Sequence, residues 1–221
     1  MATKKAPKEE KKDSPVKKND NAKEIYWIIG VMVVALIAIL LIPSISRWYN
    51  TFNYQGLTFT KEMYGQIPVY HYYYYVTPSN GQQQYQNNIY LRDDPRTNNV
   101  SIIGKIVYPP LGSTIYLSIN QTGIIECSNA LRDVATLNAF ILDNAYTVKG
   151  GYADQSLAQQ NNGTYMTCAT NPGQMVIALQ HSNETSVVVN GTCYNFNINT
   201  CQGLLDAVEK FEVQSIIDAK S

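Results

Sequence analysis

Residues 25–42 read IYWIIGVMVVALIAILLI, eighteen positions without a charged side chain, and no other stretch of the chain is like it. As a helix rising 1.5 Å per residue the run covers about 27 Å, close to the ~30 Å hydrocarbon core of a bilayer. It is apolar on every side, whereas a core helix of a soluble domain keeps a polar stripe. Tyr26 and Trp27 stand at one end, and Trp48 and Tyr49 at the other, where aromatic rings with a polar edge settle at the two water interfaces. The pattern predicts a transmembrane signal-anchor helix over 25–47, with Pro43, Ser44 and Ser46 marking its exit. A cleaved signal peptide has an apolar stretch of about 7 to 15 residues followed by a small-x-small site; this run is longer and no such site follows it.

Beyond residue 48 the apolar positions are spaced differently. LTFTKEMYGQIPVYHYYYYVT, residues 57–77, is rich in aromatic and β-branched side chains and reads as two strands with a break at Pro68. NNIYLR around Tyr90 and VSIIGKIVY over 100–108 are further strands, separated by the turn DDPRTNN. STIYLSI, 113–119, is a strong strand. SNALRDVATLNAFILDNA then spaces Leu131, Val134, Leu137, Phe140 and Ile141 as an amphipathic helix, with Ser128 as its expected N-cap. YTVKGGYA, TYMTCA, MVIALQ, SVVV and TCYNFNI return to extended patterning, and Asn190-Gly191 is the signal of a tight hairpin. A last helix over 201–219, capped by Thr200, carries a stripe of Leu204, Leu205, Val208, Phe211 and Ile216. The expected fold of 48–221 is a single α+β domain: a mainly antiparallel or mixed sheet with two helices packed on it.

Charge divides the chain in the same place. Residues 1–24 hold eight lysines against five acids, and residues 2–23 have Val16 as their one large apolar side chain, so they cannot bury enough surface to order themselves. Residues 50–221 hold eight basic and twelve acidic side chains, dispersed. A mildly acidic domain without a basic face excludes nucleic acid as a partner. Lysines crowd one flank of the apolar run and only Arg47 lies near the other, which places a disordered tail (1–24) in the cytoplasm and the domain outside. The tail serves either as that topology signal or for adhesion to anionic lipid headgroups.

All four cysteines, Cys127, Cys168, Cys193 and Cys201, lie beyond the apolar run, as expected on the oxidising side of a membrane. CYNFNINTC suggests a local bridge between Cys193 and Cys201, leaving Cys127 to Cys168; the other two pairings and free buried thiols are the alternatives. Zinc would need a C-x-x-C pair or a histidine at ligand spacing, and the chain has neither. Five N-x-S/T sequons, at Asn99, Asn120, Asn162, Asn183 and Asn190, fall in the same part and suit an exposed glycoprotein.

Candidate chemistry is sparse. The histidines are His71, on the same strand face as Tyr73 and Tyr75, and His181, at a strand end; both read better as strand or loop residues than as general bases. Asp93 and Asp94 before Pro95 read as a turn rather than a catalytic carboxylate pair. Lys149 to Asp154, KGGYAD, lacks the spacing of a phosphate loop and reads as a bend or bulge in a strand. Seventeen tyrosines, with Tyr70 and Tyr72 to Tyr75 almost continuous, imply rings on both faces of one strand, either packed or offered to a sugar or a protein.

These readings point away from an enzyme, with no cofactor and no metal site. The expected role is that of a single-pass, membrane-anchored extracytoplasmic interaction or structural domain at the cell envelope, in contact with the lipid bilayer and with an envelope protein or a second copy of itself. An extracytoplasmic ligand-binding or sensor domain is the alternative, and so short a tail would oblige it to signal through a separate partner. A pilin-like subunit or an enzyme with an unrecognised carboxylate site are further alternatives. The stretch NAKEIYW lacks the glycine-type processing site of a pilin precursor.

Overall fold

The computed structural model describes residues 21–77, 83–120, 124 and 126–220, so the expected tail lies almost wholly outside the described residues. The chain divides into two units, Met1–Trp48 and Tyr49–Ser221. The described part of the first is the helix α1, Asn21–Asn50, which also takes in the opening residues of the second. Its stretch Lys23–Leu41 has a mean hydropathy of 2.5 and is long and apolar enough to cross a membrane. Tyr26 and Trp27, like every aliphatic side chain between them and Leu41, are exposed. The helix runs through Pro43 to Asn50 rather than ending there, a correction to the expected exit. Tyr49 is exposed, whereas the side chain of Trp48, the other expected interface anchor, lies outside the described residues.

The second unit is α+β, as expected, but its described residues form two sheets rather than one and three helices rather than two. The first sheet is an antiparallel meander of β1 (Thr51–Tyr54), β2 (Leu57–Tyr64), β3 (Ile67–Val76) and β4 (Tyr85–Leu91), in that order. Gln55 and Gly56, both at positive φ (49° and 82°), make the two-residue turn between β1 and β2. The break expected at Pro68 falls instead at Gly65-Gln66, and Pro68 lies inside β3 opposite Met63. One position past the closing pair of a two-residue hairpin, its nitrogen faces away from β2, where pairing with β4 begins only at Tyr70; no ladder bond is lost.

The second sheet contains β5 (Ser101–Ile103), β6 (Thr114–Ile119), β7 (Thr147–Tyr152), β8 (Val176–His181), β9 (Ser186–Asn190) and β10 (Cys193–Ile198), in the order β5-β9-β10-β8-β6-β7. Only the β9–β10 hairpin is antiparallel, turning at Gly191-Thr192. The helices are α2 (Ala130–Asp143), between β6 and β7, α3 (Gln155–Gln160) and α4 (Cys201–Lys220). The expected strand over 100–108 shortens to three residues because Gly104 turns the chain at φ +102°, where an added Cβ would lie 2.6 Å from the Val189 carbonyl oxygen. TYMTCA forms a single bridge, Tyr152 to Tyr165, in place of a strand. Gly150 and Gly151 lie within β7, and at Gly151 the 164–166 segment approaches so closely that a Cβ would meet Thr164 O at 2.7 Å. Thr200 caps α4, its Oγ1 accepting from the Gly203 N–H at 3.0 Å. For α2 the N-cap is Asn129, not Ser128, and its side chain makes no cap hydrogen bond.

The helix α4 is buried on nearly all sides, because one face meets β9 and β10 while the other lies under the first sheet. Phe211 is set edge-on to Tyr194 and Phe196 of β10 and to Phe140 of α2. On the opposite face Glu209 accepts from the N–H groups of Arg92 and Asp93 just after β4, and Lys210 Nζ donates to Tyr54 Oη at 3.0 Å. The domain is thus three layers, with α2 and α4 between two sheets.

All four cysteines pair, but as Cys127–Cys201 and Cys168–Cys193, which corrects the local bridge expected between Cys193 and Cys201. The reason is β10: it begins at Cys193 and runs six residues before α4 starts at Cys201. At about 3.3 Å per residue this carries the two thiols roughly 20 Å apart, far beyond the reach of a disulfide. The first bridge ties the β6–α2 connection to the start of α4, and the second ties the α3–β8 connection to the start of β10.

Candidate functional site

Alternation along β3 separates its tyrosines. Tyr70, Tyr72 and Tyr74 turn toward the helices, while Tyr73 and Tyr75 are exposed, so the strand both packs and presents rings. Where the inward rings pass the C-terminal ends of α2 and α4 they leave a cavity of about 640 Å³, which lies within the range of small-molecule sites. Its other walls come from Tyr108 and Leu111 in the β5–β6 connection, Tyr146 before β7, Phe140 of α2 and Ile216 of α4. Tyr72 and Tyr74 stand nearly parallel with centroids 6.4 Å apart, and Tyr108 stacks on Tyr146 at 5.2 Å.

The polar groups around the cavity are mostly committed to one another. Asn144, the C-cap of α2, donates from Nδ2 to Tyr74 Oη and to Phe140 O, both at 2.7 Å. Tyr108 Oη donates to Ser215 Oγ at 3.1 Å, and Tyr146 Oη to Pro109 O at 3.1 Å. Lys220 Nζ reaches Tyr72 Oη and stands 5.0 Å from the centroid of that ring. Among the described lining residues Lys220 bears the one formal charge. Burial holds these phenols neutral: Tyr74 is pushed up to about 12, and Tyr108 and Tyr146 are also raised.

Two acids lie deeper, one turn apart on α4. Burial pushes Glu209 up to about 8 despite the two backbone N–H groups it accepts. Burial raises Glu212 well above the usual carboxylate range, with Glu209 and Asp143 adding to the effect. Its Oε1 is buried without a hydrogen-bond partner. In both carboxyls burial favours the neutral form. Above them Asn87 Nδ2 donates to Asp143 O, closing the α2 end of the same layer.

The residues singled out in the sequence do not meet here. His71 lies on the outer face of β3, with Nδ1 2.9 Å from Glu62 Oε1, Nε2 3.0 Å from Asn88 Oδ1 and its ring stacked 4.5 Å from Tyr90. His181 is exposed at the end of β8. Asp94 accepts from the guanidinium and backbone N–H of Arg96, and that hydrogen bonding holds its carboxyl below the usual range. Asp93 instead accepts from Gln202 at 2.7 Å, so the pair points apart in a turn, as the sequence suggests. Asp154 caps α3. Asn99, Asn162, Asn183 and Asn190 are exposed and Asn120 is half-buried. Among the described residues no group of three or more His, Cys, Asp or Glu side chains could hold a metal ion.

Of the cavity the sequence signals only the tyrosine run. Nothing in it brings Lys220, Asn144 and Tyr108 to the same place, because those contacts cross the three layers. Comparison with protein-family models, with curated proteins and with solved structures finds no match.

Proposed function

We propose that this chain is a single-pass membrane protein whose disulfide-bonded domain works outside the cytoplasm as a binding or interaction domain at the cell envelope. The observation that carries this reading is an apolar helix whose described side chains are exposed, followed along the chain by a unit whose four cysteines are all paired. Disulfides persist in oxidising compartments, and the lysine-rich flank favours the cytoplasmic side, so the two signals agree on orientation. The exposed outer face of the first sheet supports the interaction role: Tyr73, Tyr75 and Tyr90 lie on it, with Met63, Tyr64 and Ile67 around the β2–β3 turn. Exposed aromatic surface of this kind suits contact with an envelope protein or a second copy.

A ligand-binding role for the same domain is favoured by the cavity, which combines aromatic walls with a single cation. It needs no enzymatic chemistry.

The test is protease shaving of intact cells, followed by detection with one antibody to the tail and one to the domain. The reading expects the tail epitope to persist until the membrane is permeabilised, while the domain is lost or its mobility changes on non-reducing gels after mild reduction and digestion. Digestion of the tail in intact cells with the domain protected would overturn it.

A further inference from the structure

The cavity beside β3 has a chemistry narrow enough to select a class of ligand, and the argument rests on the ligand-binding reading above. Its walls are largely the faces and edges of aromatic rings, with Leu111 and Ile216 closing the gaps, so the body of an occupant must be apolar and is best matched by flat rings that stack. A sugar fits poorly. Its hydroxyls would leave water for a site where Tyr74 is already bonded to Asn144, Tyr108 to Ser215 and Tyr146 to Pro109 O, and unpaired buried hydroxyls are costly. A cation fits poorly too, since no carboxylate is among the described lining residues and Lys220 already presents its ammonium to the Tyr72 ring.

Lys220 decides the remaining feature. It is exposed, it donates to the Tyr72 hydroxyl, and it stands at a cavity wall where no carboxylate is among the described lining residues. An ammonium so placed can exchange its phenol for a carboxylate or another oxyanion and gain a charge-assisted hydrogen bond. We propose that the cavity binds small amphipathic organic anions, with an apolar ring body between Tyr72, Tyr74, Tyr108 and Tyr146 and a single acidic group on Lys220 Nζ.

The test uses the full chain in lipid nanodiscs, with 2-naphthoate as the probe, read by titration calorimetry against empty discs. Uncharged 2-naphthol, 2-naphthyltrimethylammonium and glucuronate are the comparison probes. Saturable binding of 2-naphthoate with Kd below about 100 µM is expected, the neutral and cationic naphthalenes binding at least ~10-fold more weakly and glucuronate not at all. Lys220→Met, a change at an exposed position, is expected to weaken 2-naphthoate about 10-fold and to alter 2-naphthol less than about threefold, the signature of one lost charge-assisted bond. Leu111→Trp, which fills the cavity from a half-exposed position, is expected to abolish binding of both. Absence of saturable 2-naphthoate binding, equal or tighter binding of the cationic, neutral or sugar probe, or indifference to Lys220→Met would each overturn the proposal. None of these results touches the membrane orientation, which protease shaving reads independently.

Discussion

The two sheets of the domain are held in different ways. Both disulfides belong to the six-stranded sheet and its helices: one joins the β6–α2 connection to α4, the other the α3–β8 connection to β10. The four-stranded sheet has none. Its strands follow one another as a meander, and it is tied to the helices by packing and by isolated polar contacts such as Glu209 to the Arg92 N–H and Lys210 to Tyr54. One sheet is a covalently stapled scaffold and the other an adherent cover, and the aromatic cavity opens where the cover meets the ends of the helices. Crossovers between parallel strands close long loops, which a disulfide stabilises most; hairpins close short ones and need no staple.

The largest expected effect comes from unstapling the scaffold. The double change Cys127→Ser, Cys201→Ser opens a bridge spanning 74 residues of sequence and should cost about 4 kcal/mol, lowering Tm by roughly 10 °C. Removing Cys168 and Cys193, 25 residues apart, should cost slightly less, about 3.5 kcal/mol. Equal losses in calorimetry from these changes and from breaking a single contact of the cover would remove the distinction between the sheets.

Acidity should act at the boundary between α4 and the cover. Glu209 and Glu212 have folded-state pKa values above their unfolded ones, so the folded state holds their protons more tightly. Their contribution to stability is complete below about pH 4.5 and is lost as pH rises toward the Glu209 value of about 8, with Asp93, Asp206 and Asp143 adding repulsion as Glu209 and Glu212 ionise. Urea denaturation between pH 5 and 8 should therefore show stability falling by a few kcal/mol. Glu212→Gln, which keeps the shape and removes the ionisation, should flatten that slope and raise stability at pH 8; an unchanged slope would mean these acids are not buried as described. The smallest effect is expected from Lys210→Met, which deletes the donor to Tyr54 Oη and to Asn98 O and should cost about 1 kcal/mol in the same denaturation.

What the sequence disclosed follows the range of the interactions. The apolar run, STIYLSI, the α2 pattern apart from the exposed Leu131, the Thr200 cap and the hairpin after Asn190 depend on neighbours a few positions away, and each has its counterpart in the structure. The α4 stripe was legible too, yet a stripe implies one buried face. The burial of Glu209 and Val213, beyond the edge of the stripe, depends on a second sheet that no local pattern announces. The disulfide pairing and the cavity failed to show for a related reason: Cys127 meets Cys201 only when the β6–α2 connection comes against the start of α4, and Lys220 meets Tyr72 only when the first sheet covers the helices. The tyrosine run left packing and display as alternatives, and β3 does both, one on each face.

Native-state hydrogen exchange on the full chain in nanodiscs tests the contrast between scaffold and cover most directly. The account predicts that the amides of β2 and β3 exchange through a partial opening well below the global unfolding free energy, while those of β6, β8 and β10 exchange only with global unfolding. It also predicts that reducing the disulfides brings the second group down toward the first. Uniform protection across both sheets, with no change on reduction, would contradict it.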